Sequence, residues 1–134
     1  MAVLGERTIT IDCDVLQADG GTRCASINGG FVALSMAVGK LLKAGLIEKN
    51  LIKDYVAAIS TGVVDGRPHL DLNYEEDFAA AVDMNFVMTG KGLMVEVQGT
   101  AEHGSFSFAQ LTAMKNLAWK GIRAMIAEQR RILK

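Results

Sequence analysis

The stretch VDMNFVMTGKGLMVEVQ, residues 82–98, decides the fold because two alternating runs flank a glycine-containing turn. Alternation of apolar and polar side chains with a period of two is typical of a strand that buries one face. Val82 to Thr89 and Leu93 to Gln98 are therefore predicted to pair as an antiparallel hairpin around Gly90-Lys91-Gly92.

The register of this hairpin depends on the length of its turn. A tight turn places Asp83 near Gln98 and Asn85 near Glu96 on the polar face. The opposite face would contribute six apolar side chains to the core, namely Met84, Phe86, Met88, Leu93, Val95 and Val97.

A second hairpin is predicted upstream of the first. Tyr55 to Val64 indicates a strand, Asp65-Gly66 is a strong signal for a two-residue turn, and His69 to Leu72 is the returning strand. The polar segment Asn73 to Asp77 then connects the two hairpins.

The segment downstream of the hairpins predicts a long helix. Ser107 and Gln110 have the spacing of a capping box, and Phe106 with Leu111 has the spacing of a hydrophobic staple. Helical spacing then places six apolar residues on one face: Leu111, Met114, Leu117, Ala118, Ile122 and Met125.

The first part of the chain predicts a strand followed by a helix. Thr8 to Val15 alternates with period two, and Asp19-Gly20-Gly21 forms a turn. Thr22 to Ala44 has helical periodicity but is apolar on several sides, so this helix is expected to pack between neighbours on both sides.

These elements together predict an α+β fold, with a mixed sheet packed against helices. The connector Glu48 to Asp54 is the best candidate for an internal boundary. We expect residues 1–47 to form one part, which holds the first strand, the turn and the helix. Residues 54–132 would form the other part.

Composition limits the class of protein. The chain has 134 residues, half of them hydrophobic, one proline and a net charge of −1. Such a chain can bury a core and has no overall attraction for nucleic acid. Cys13 and Cys24 are expected to be small core residues in a reducing compartment. The run Phe31 to Val38 is too short to span a bilayer, so a cytoplasmic protein without membrane association is expected.

The turn QADGGTRCAS, residues 17–26, has the chemistry of an anion site. Backbone N–H groups at a helix start are unpaired, and the helix dipole favours negative charge there. Gly21 permits close backbone approach, Thr22 offers a hydroxyl, and the Arg23 guanidinium matches phosphate oxygens. The alternative is an ordinary glycine turn with Thr22 as the N-cap and Arg23 solvated.

Four carboxylates cluster between residues 75 and 83, among them Asp77 and Asp83. Magnesium is usually held by one or two carboxylates and water, so these two aspartates could suffice. A metal ion beside a phosphate site favours phosphoryl-transfer chemistry. The alternative is a solvated acidic loop, which the local sequence by itself favours.

Several blocks of sequence resemble the second half of the ribonuclease PH family. They follow one another in the order LGERTITIDCDVLQADGGTR, AAIS, LDLNYEED, VDMN, VMTG and VEVQGTAE. The resemblance extends from about Leu4 to the final helix. It implies a ribonuclease PH-like fold, with part of a ribosomal S5 domain 2-like domain followed by a C-terminal α/β subdomain.

The resemblance also implies an activity and roles for particular residues. The family trims tRNA 3′ ends by phosphorolysis, releasing nucleoside diphosphates, and assembles as a homo-oligomer with a hexameric ring. Gly21, Thr22 and Arg23 match the family's binding site for the attacking inorganic phosphate. Asp77 and Asp83 match its acidic catalytic pair, which implies Mg²⁺ as the cofactor.

The sequence departs from the family pattern in two ways. The family has roughly another hundred residues upstream, so this polypeptide alone is expected to be weakly active or inactive. Phe78 occupies a position next to Asp77 that is usually small or polar in the family.

Three functional hypotheses remain open at this point. The first is a phosphorolytic exoribonuclease, which the retention of the five matched residues favours. The second is a non-catalytic assembly protein of the same fold, which the missing half favours. The third is a general phosphate-binding domain, which would bind free phosphate without cleaving RNA.

Overall fold

The computed structural model describes residues 4–134 and has three helices and four strands in that range. Their order along the chain is α1 (Thr22–Lys43), β1 (Val56–Val64), β2 (Arg67–Leu70), α2 (Tyr74–Ala79), β3 (Val82–Thr89), β4 (Met94–Ala101) and α3 (Phe108–Ile132). The strands form one sheet in the order β2-β1-β3-β4, and every neighbouring pair is antiparallel. The α+β class is confirmed, although the sheet is antiparallel throughout rather than mixed.

The two long helices lie on opposite faces of this sheet. The core between α3 and the sheet contains Ile59, Phe86 and Ile122, all less than 5% exposed. On the other face, the Asn28 side chain of α1 hydrogen-bonds both the N–H and the C=O of Ala58 in β1. Because adjacent strand residues point to opposite faces, Ala58 contacts α1 whereas Ile59 contacts α3.

The first hairpin has the predicted turn. Asp65 and Gly66 both have positive φ, 49° and 73°, as a two-residue turn between twisted strands requires. Val64 pairs with Arg67 and Thr61 with Leu70, so the returning strand begins earlier than His69.

The second hairpin forms as predicted, but its register was predicted wrongly by two residues. Asp83 pairs with Thr100 and Asn85 with Gln98. One residue of this shift comes from the turn, which leaves three residues between Thr89 and Leu93. The other comes from a bulge at Val95.

The apolar residues of β4 and of the turn before it are not part of the core. Leu93, Val95 and Val97 are 63%, 59% and 47% exposed, which corrects the prediction that they face the interior. Met84, Phe86 and Met88 in β3 are buried as predicted (4%, 1% and 3% exposed). The reason is that α3 covers β1, β2 and β3, whereas β4 lies at the sheet edge.

The segment Thr8 to Val15 belongs to no strand, so the predicted first strand is not found among residues 4–134. Alternation predicts a strand only where a partner supplies the ladder, and this segment pairs with none of the four strands. It lies instead along α1, where the Cys13 thiol donates to the carbonyl of Ser26 at 3.7 Å. Cys13 is therefore exposed, contrary to expectation, whereas Cys24 is buried.

Helix α1 spans the predicted residues but is not packed on both sides. Its fully buried residues are Cys24, Gly30 and Val38, and Met36 is 53% exposed. By length and composition alone α1 is long and apolar enough to cross a membrane. The run Phe31 to Val38, which is only part of α1, did not indicate this. In the fold, the Asn28 contacts place α1 on the sheet.

Helix α3 begins with the predicted capping box. The Ser107 hydroxyl accepts from the Gln110 N–H at 3.2 Å, and the Gln110 side chain accepts from the Ser107 N–H at 2.9 Å. Met114, Ala118 and Ile122 are then fully buried against the sheet.

The capping box gives a test of the fold. Ser107→Ala should lower the free energy of unfolding by about 1 kcal/mol, because the N–H of Gln110 loses its acceptor. Urea denaturation of the variant and the parent measures the difference. Ser105→Ala, two residues earlier and exposed, is the control and should change it by less than about 0.5 kcal/mol. Equal effects of the two changes would contradict the role of the cap.

Candidate active site

The candidate site lies where α1 begins, over β1 and β3 and beside the start of α2. The turn before α1 is fitted closely to its neighbours. A Cβ added at Gly20 would lie 2.1 Å from the carbonyl oxygen of Leu72, and one at Gly21 would lie 3.1 Å from the Ser60 hydroxyl. Gly21 also has a φ of 71°, which favours glycine. Both glycines are therefore required by the fold.

Asp19 fastens this turn to α2. Its Oδ1 accepts hydrogen bonds from the Gly20 N–H at 2.8 Å and from the Tyr74 N–H at 2.6 Å. Tyr74 is the first residue of α2, so one carboxylate fixes two elements that are 55 residues apart in sequence. The sequence indicated only that Asp19 belongs to a turn.

No side chain of residues 4–134 caps the start of α1. Gly21 is the N-cap residue, and the Thr22 hydroxyl instead donates to the carbonyl of Asp19 at 2.7 Å. The alternative in which Thr22 caps the helix is therefore wrong. The first intrahelical bond is from Ala25 N–H to Gly21 C=O, so the N–H groups of the first turn remain available to an anion.

Arg23 is held by an ion pair rather than solvated alone. Its Nη2 donates to Glu96 of β4 at 2.8 Å, and both side chains are about half exposed. The hydrogen bond and the charge of Glu96 raise the pKa of Arg23. A guanidinium has five N–H donors, so this pair positions Arg23 and leaves donors free for phosphate oxygens.

Cys24 follows Arg23 in α1, and its side chain is buried. Its thiol donates to Asn85 Oδ1 of β3 at 3.0 Å. Burial raises the pKa of Cys24 to about 11, so the thiol stays protonated at neutral pH. Cys24 is therefore a structural donor and neither a nucleophile nor a thiolate ligand.

Asp77 lies in α2, a short helix where the sequence predicted only a polar segment. Asn73 accepts from the Glu76 N–H at 2.9 Å, and Glu76 accepts from the Asn73 N–H at 3.0 Å. This capping box is present in the sequence as Asn73-x-x-Glu76 and could have indicated the helix. Phe78 is 84% exposed and stacks against Tyr74, with ring centroids 6.5 Å apart.

Asp83 lies on β3, on the sheet face that carries α1. Its Oδ1 is buried and has no hydrogen-bond donor among residues 4–134. Burial raises the pKa of Asp83, and the nearby charges of Asp77 and Glu102 raise it further. Glu102 was not identified from the sequence, because only the strand register brings it near Asp83.

The structure thus brings the start of α1, the start of α2 and the polar face of β3 to one region. The charge of Asp77 is one of the causes that raise the pKa of Asp83, so the two predicted aspartates interact electrostatically. Within residues 4–134 there is no cluster of three or more side chains that could hold a metal ion. An acidic pair with one unpaired buried oxygen still fits Mg²⁺, which keeps several water ligands.

Comparison with known proteins places the chain in a family. Residues 54–121 match the model of the 3′ exoribonuclease family, domain 2. A ribonuclease PH of Syntrophomonas wolfei is 58% identical over 133 residues, which cover 99% of this chain and 56% of that protein. The ribonuclease PH of Bacillus subtilis is 56% identical over 131 residues, which cover 97% of this chain and 54% of that protein.

A solved structure has the same fold. The crystal structure of rice (Oryza sativa) Rrp46 matches with a TM-score of 0.67 at 21% identity, covering 88% of this chain and 50% of that one. The chain spans about half the length of the relatives it matches. From the matched domain and the ribonuclease PH relatives together, it follows that this chain belongs to the 3′ exoribonuclease family.

Proposed function

We propose that this chain carries the phosphate-binding and acidic residues of a phosphorolytic 3′→5′ exoribonuclease that shortens RNA, in particular the 3′ ends of tRNA. The observation that carries the proposal is the position of Arg23 and Asp83 on one face of the sheet. Arg23 is held there by Glu96, and the Asp83 carboxylate has a buried oxygen without a donor among residues 4–134. A cationic hydrogen-bond donor for phosphate and a carboxylate ligand for a metal ion thus lie in one region.

The reaction requires little covalent chemistry from the protein. An oxygen of inorganic phosphate attacks the phosphorus of the last diester, and the bond to the 3′ oxygen of the preceding nucleotide breaks. The 3′ oxygen takes up the proton that the phosphate gives up. The products are a nucleoside 5′-diphosphate and an RNA shorter by one nucleotide, and the reverse reaction adds a nucleotide. Catalysis then consists of positioning and charge stabilisation.

The chain's own residues supply the positioning. The glycine turn lets an anion approach the first N–H groups of α1, and Arg23 offers a fork of donors beside them. Asp19 holds this turn against α2, so the position of Asp77 relative to the phosphate site is fixed. Asp77 and Asp83 would hold Mg²⁺, which supplies charge stabilisation for in-line displacement when bound.

A second candidate, a non-catalytic assembly protein, is favoured by the exposed edge strand. Among residues 4–134, no strand pairs with the outer edge of β4. This edge and the turn before it expose Leu93, Val95 and Val97, a surface that favours association. The two functions are compatible, since we also propose that the protein acts as a homo-oligomer in the cytoplasm. Only the enzymatic function requires release of nucleoside diphosphates.

The test is a phosphate-dependence assay. The purified chain is incubated with a 3′-extended tRNA and Mg²⁺, with and without inorganic phosphate, and the products are separated. Nucleoside diphosphates released only with phosphate support the enzymatic function. If the chain alone is silent, a polypeptide that covers the unmatched half of the relatives is added. Continued silence favours the assembly protein, and phosphate binding without products favours a general phosphate-binding domain.

Arg23→Ala should lower phosphate-dependent release by about 10²–10³-fold, because a donor to the reacting phosphate is lost in a partly desolvated site. The free energy of unfolding should change little, since the Arg23–Glu96 pair is half exposed. Arg67→Ala, an exposed arginine at the first hairpin, is the control and should retain activity. Equal activity of the Arg23 variant and the parent would remove Arg23 from the site.

A further inference from the structure

Basic side chains collect at the end of the molecule where α1 and α3 finish. Residues 40–54 and 128–134 contain three acidic residues, Glu48, Asp54 and Glu128. They also contain seven basic residues: Lys40, Lys43, Lys49, Lys53, Arg130, Arg131 and Lys134. The excess of four positive charges stands out in a chain whose net charge is −1. This basic end lies away from the carboxylates that surround Asp83.

A groove of about 490 Å³ lies at this basic end, between α1, the connecting loop and α3. An apolar part of its lining, the floor, consists of Phe31, Tyr55 and Leu133, and polar residues such as Ser35 and Asn50 line other parts. Lys53 and Arg130 line it as well. The volume lies within the range of about 300–1,000 Å³ that is typical of sites for small organic ligands.

The cationic groups of the groove are positioned but not neutralised. The Arg130 guanidinium lies 5.0 Å from the centroid of the Tyr55 ring. The centroids of the Tyr55 and Phe31 rings are 5.5 Å apart. Among residues 4–134, neither Lys53 nor Arg130 forms an ion pair. Asp54 also lines the groove, and its carboxylate accepts from the Tyr55 N–H at 2.8 Å. Stacking on an aromatic ring orients a guanidinium for a planar anion.

The helix dipoles explain only part of this charge. Cations in the last turns of α1 and α3 suit the negative ends of both helices, which accounts for Lys40, Lys43, Arg130 and Arg131. Lys53 belongs to neither helix, so the helix dipoles do not explain its position. The dipoles also do not explain why an aromatic groove lies beside these cations. Cations beside aromatic and apolar surface are the combination by which proteins bind single-stranded nucleic acid.

We propose that this groove binds single-stranded RNA, with Lys53 and Arg130 on its phosphates and a base against the floor at Phe31. The proposal rests on the proposed function, since it concerns RNA that the site at Asp83 would process. Tyr55 precedes β1, whereas Gly62 of β1 pairs with Asp83. The groove therefore lies roughly 23 Å along the strand from the acidic pair. RNA held there is upstream of the 3′ end.

The test measures RNA binding without chemistry. A fluorescent single-stranded RNA with a blocked 3′ end is titrated with the full chain in buffer without phosphate or Mg²⁺, at several salt concentrations. The double change Lys53→Gln with Arg130→Gln should weaken binding about tenfold or more. It should also reduce the slope of log affinity against log salt by about 1.4, because two phosphate contacts are lost.

Two variants serve as controls. Lys115→Gln with Lys120→Gln removes the same charge from exposed positions of α3 and should leave the affinity within twofold. Arg130→Lys, made alone, keeps the charge but not the guanidinium stacked on Tyr55, so it should weaken binding less than the double change does. Unchanged affinity in the groove variant, or an equal loss in the α3 variant, overturns the proposal.

Two further measurements identify the chemical class of the ligand and separate RNA binding from catalysis. Polyglutamate of equal charge should not compete with the RNA. Equal competition would assign the groove to acidic protein instead and would overturn the RNA assignment. Release of nucleoside diphosphates by the parent is measured separately, in the presence of inorganic phosphate and Mg²⁺. Turnover by the parent together with unchanged RNA binding in the groove variant would refute the groove and leave the proposed function intact.

Discussion

Gly20→Ala is expected to lower the free energy of unfolding by about 3 kcal/mol and to abolish phosphate-dependent turnover. The added Cβ would lie 2.1 Å from the carbonyl oxygen of Leu72 and 2.7 Å from the backbone of Asn73. Leu72 is 1% exposed, and Asn73 caps α2, so neither backbone segment can yield without losing its own contacts. The turn would have to move away from α2, taking Arg23 with it.

Gly29→Ala is the matched control for this prediction. Gly29 lies inside α1, and an added Cβ would meet no atom of the described residues 4–134 within 4 Å. Alanine should therefore stabilise the chain by about 0.5–1 kcal/mol, because glycine is a poor helix residue. Urea denaturation and the nucleoside diphosphate assay measure both variants. Equal behaviour of the two would show that the contact between the turn and α2 does not shape the site.

Asp83→Asn is expected to stabilise the chain at neutral pH and to abolish its response to Mg²⁺. The pKa of Asp83 is raised above 3.8 because burial and the charges of Asp77 and Glu102 disfavour the ionised form. A raised pKa in an acid means that the folded state binds the proton more tightly than the unfolded state does. The stability cost therefore grows as pH rises from about 4 through the folded pKa and is complete above it.

Thermal unfolding at pH 7.5 and at lower pH measures this effect. The Asp83→Asn variant should melt higher than the parent at pH 7.5, and the difference should shrink as pH falls toward 4. Mg²⁺ should raise the melting temperature of the parent and not that of the variant. Asp65→Asn at the exposed hairpin turn is the control. A Mg²⁺ response that survives in both Asp77→Asn and Asp83→Asn would refute the metal assignment.

Local signals in the sequence were enough to predict most of the elements. The capping box at Ser107 predicted the start of α3, and Asp65-Gly66 predicted the first hairpin turn, because both depend on residues a few positions apart. The helix α2 carried a comparable signal at Asn73 and Glu76 that was not used. The strand predicted at Thr8 to Val15 failed because a strand needs a partner, which periodicity does not reveal.

Residue types for a candidate site could be proposed from the sequence, but their environment could not. Gly21 and Arg23 could be identified because their chemistry is local to one turn. The ion pair from Arg23 to Glu96 crosses 73 positions and depends on a register that the bulge at Val95 alters. The lack of a donor to Asp83 among residues 4–134 is likewise a property of packing, so no pattern in the sequence indicates it.

The proposed function requires that the phosphate site at Arg23 and the acidic pair at Asp83 form one site. Calorimetric titration of the purified chain with inorganic phosphate, with and without Mg²⁺, tests it most directly. If one site binds both, Mg²⁺ should tighten phosphate binding by about 5- to 150-fold in the parent, and this coupling should vanish in Asp83→Asn. A phosphate affinity that is the same with and without Mg²⁺ in the parent would contradict the claim.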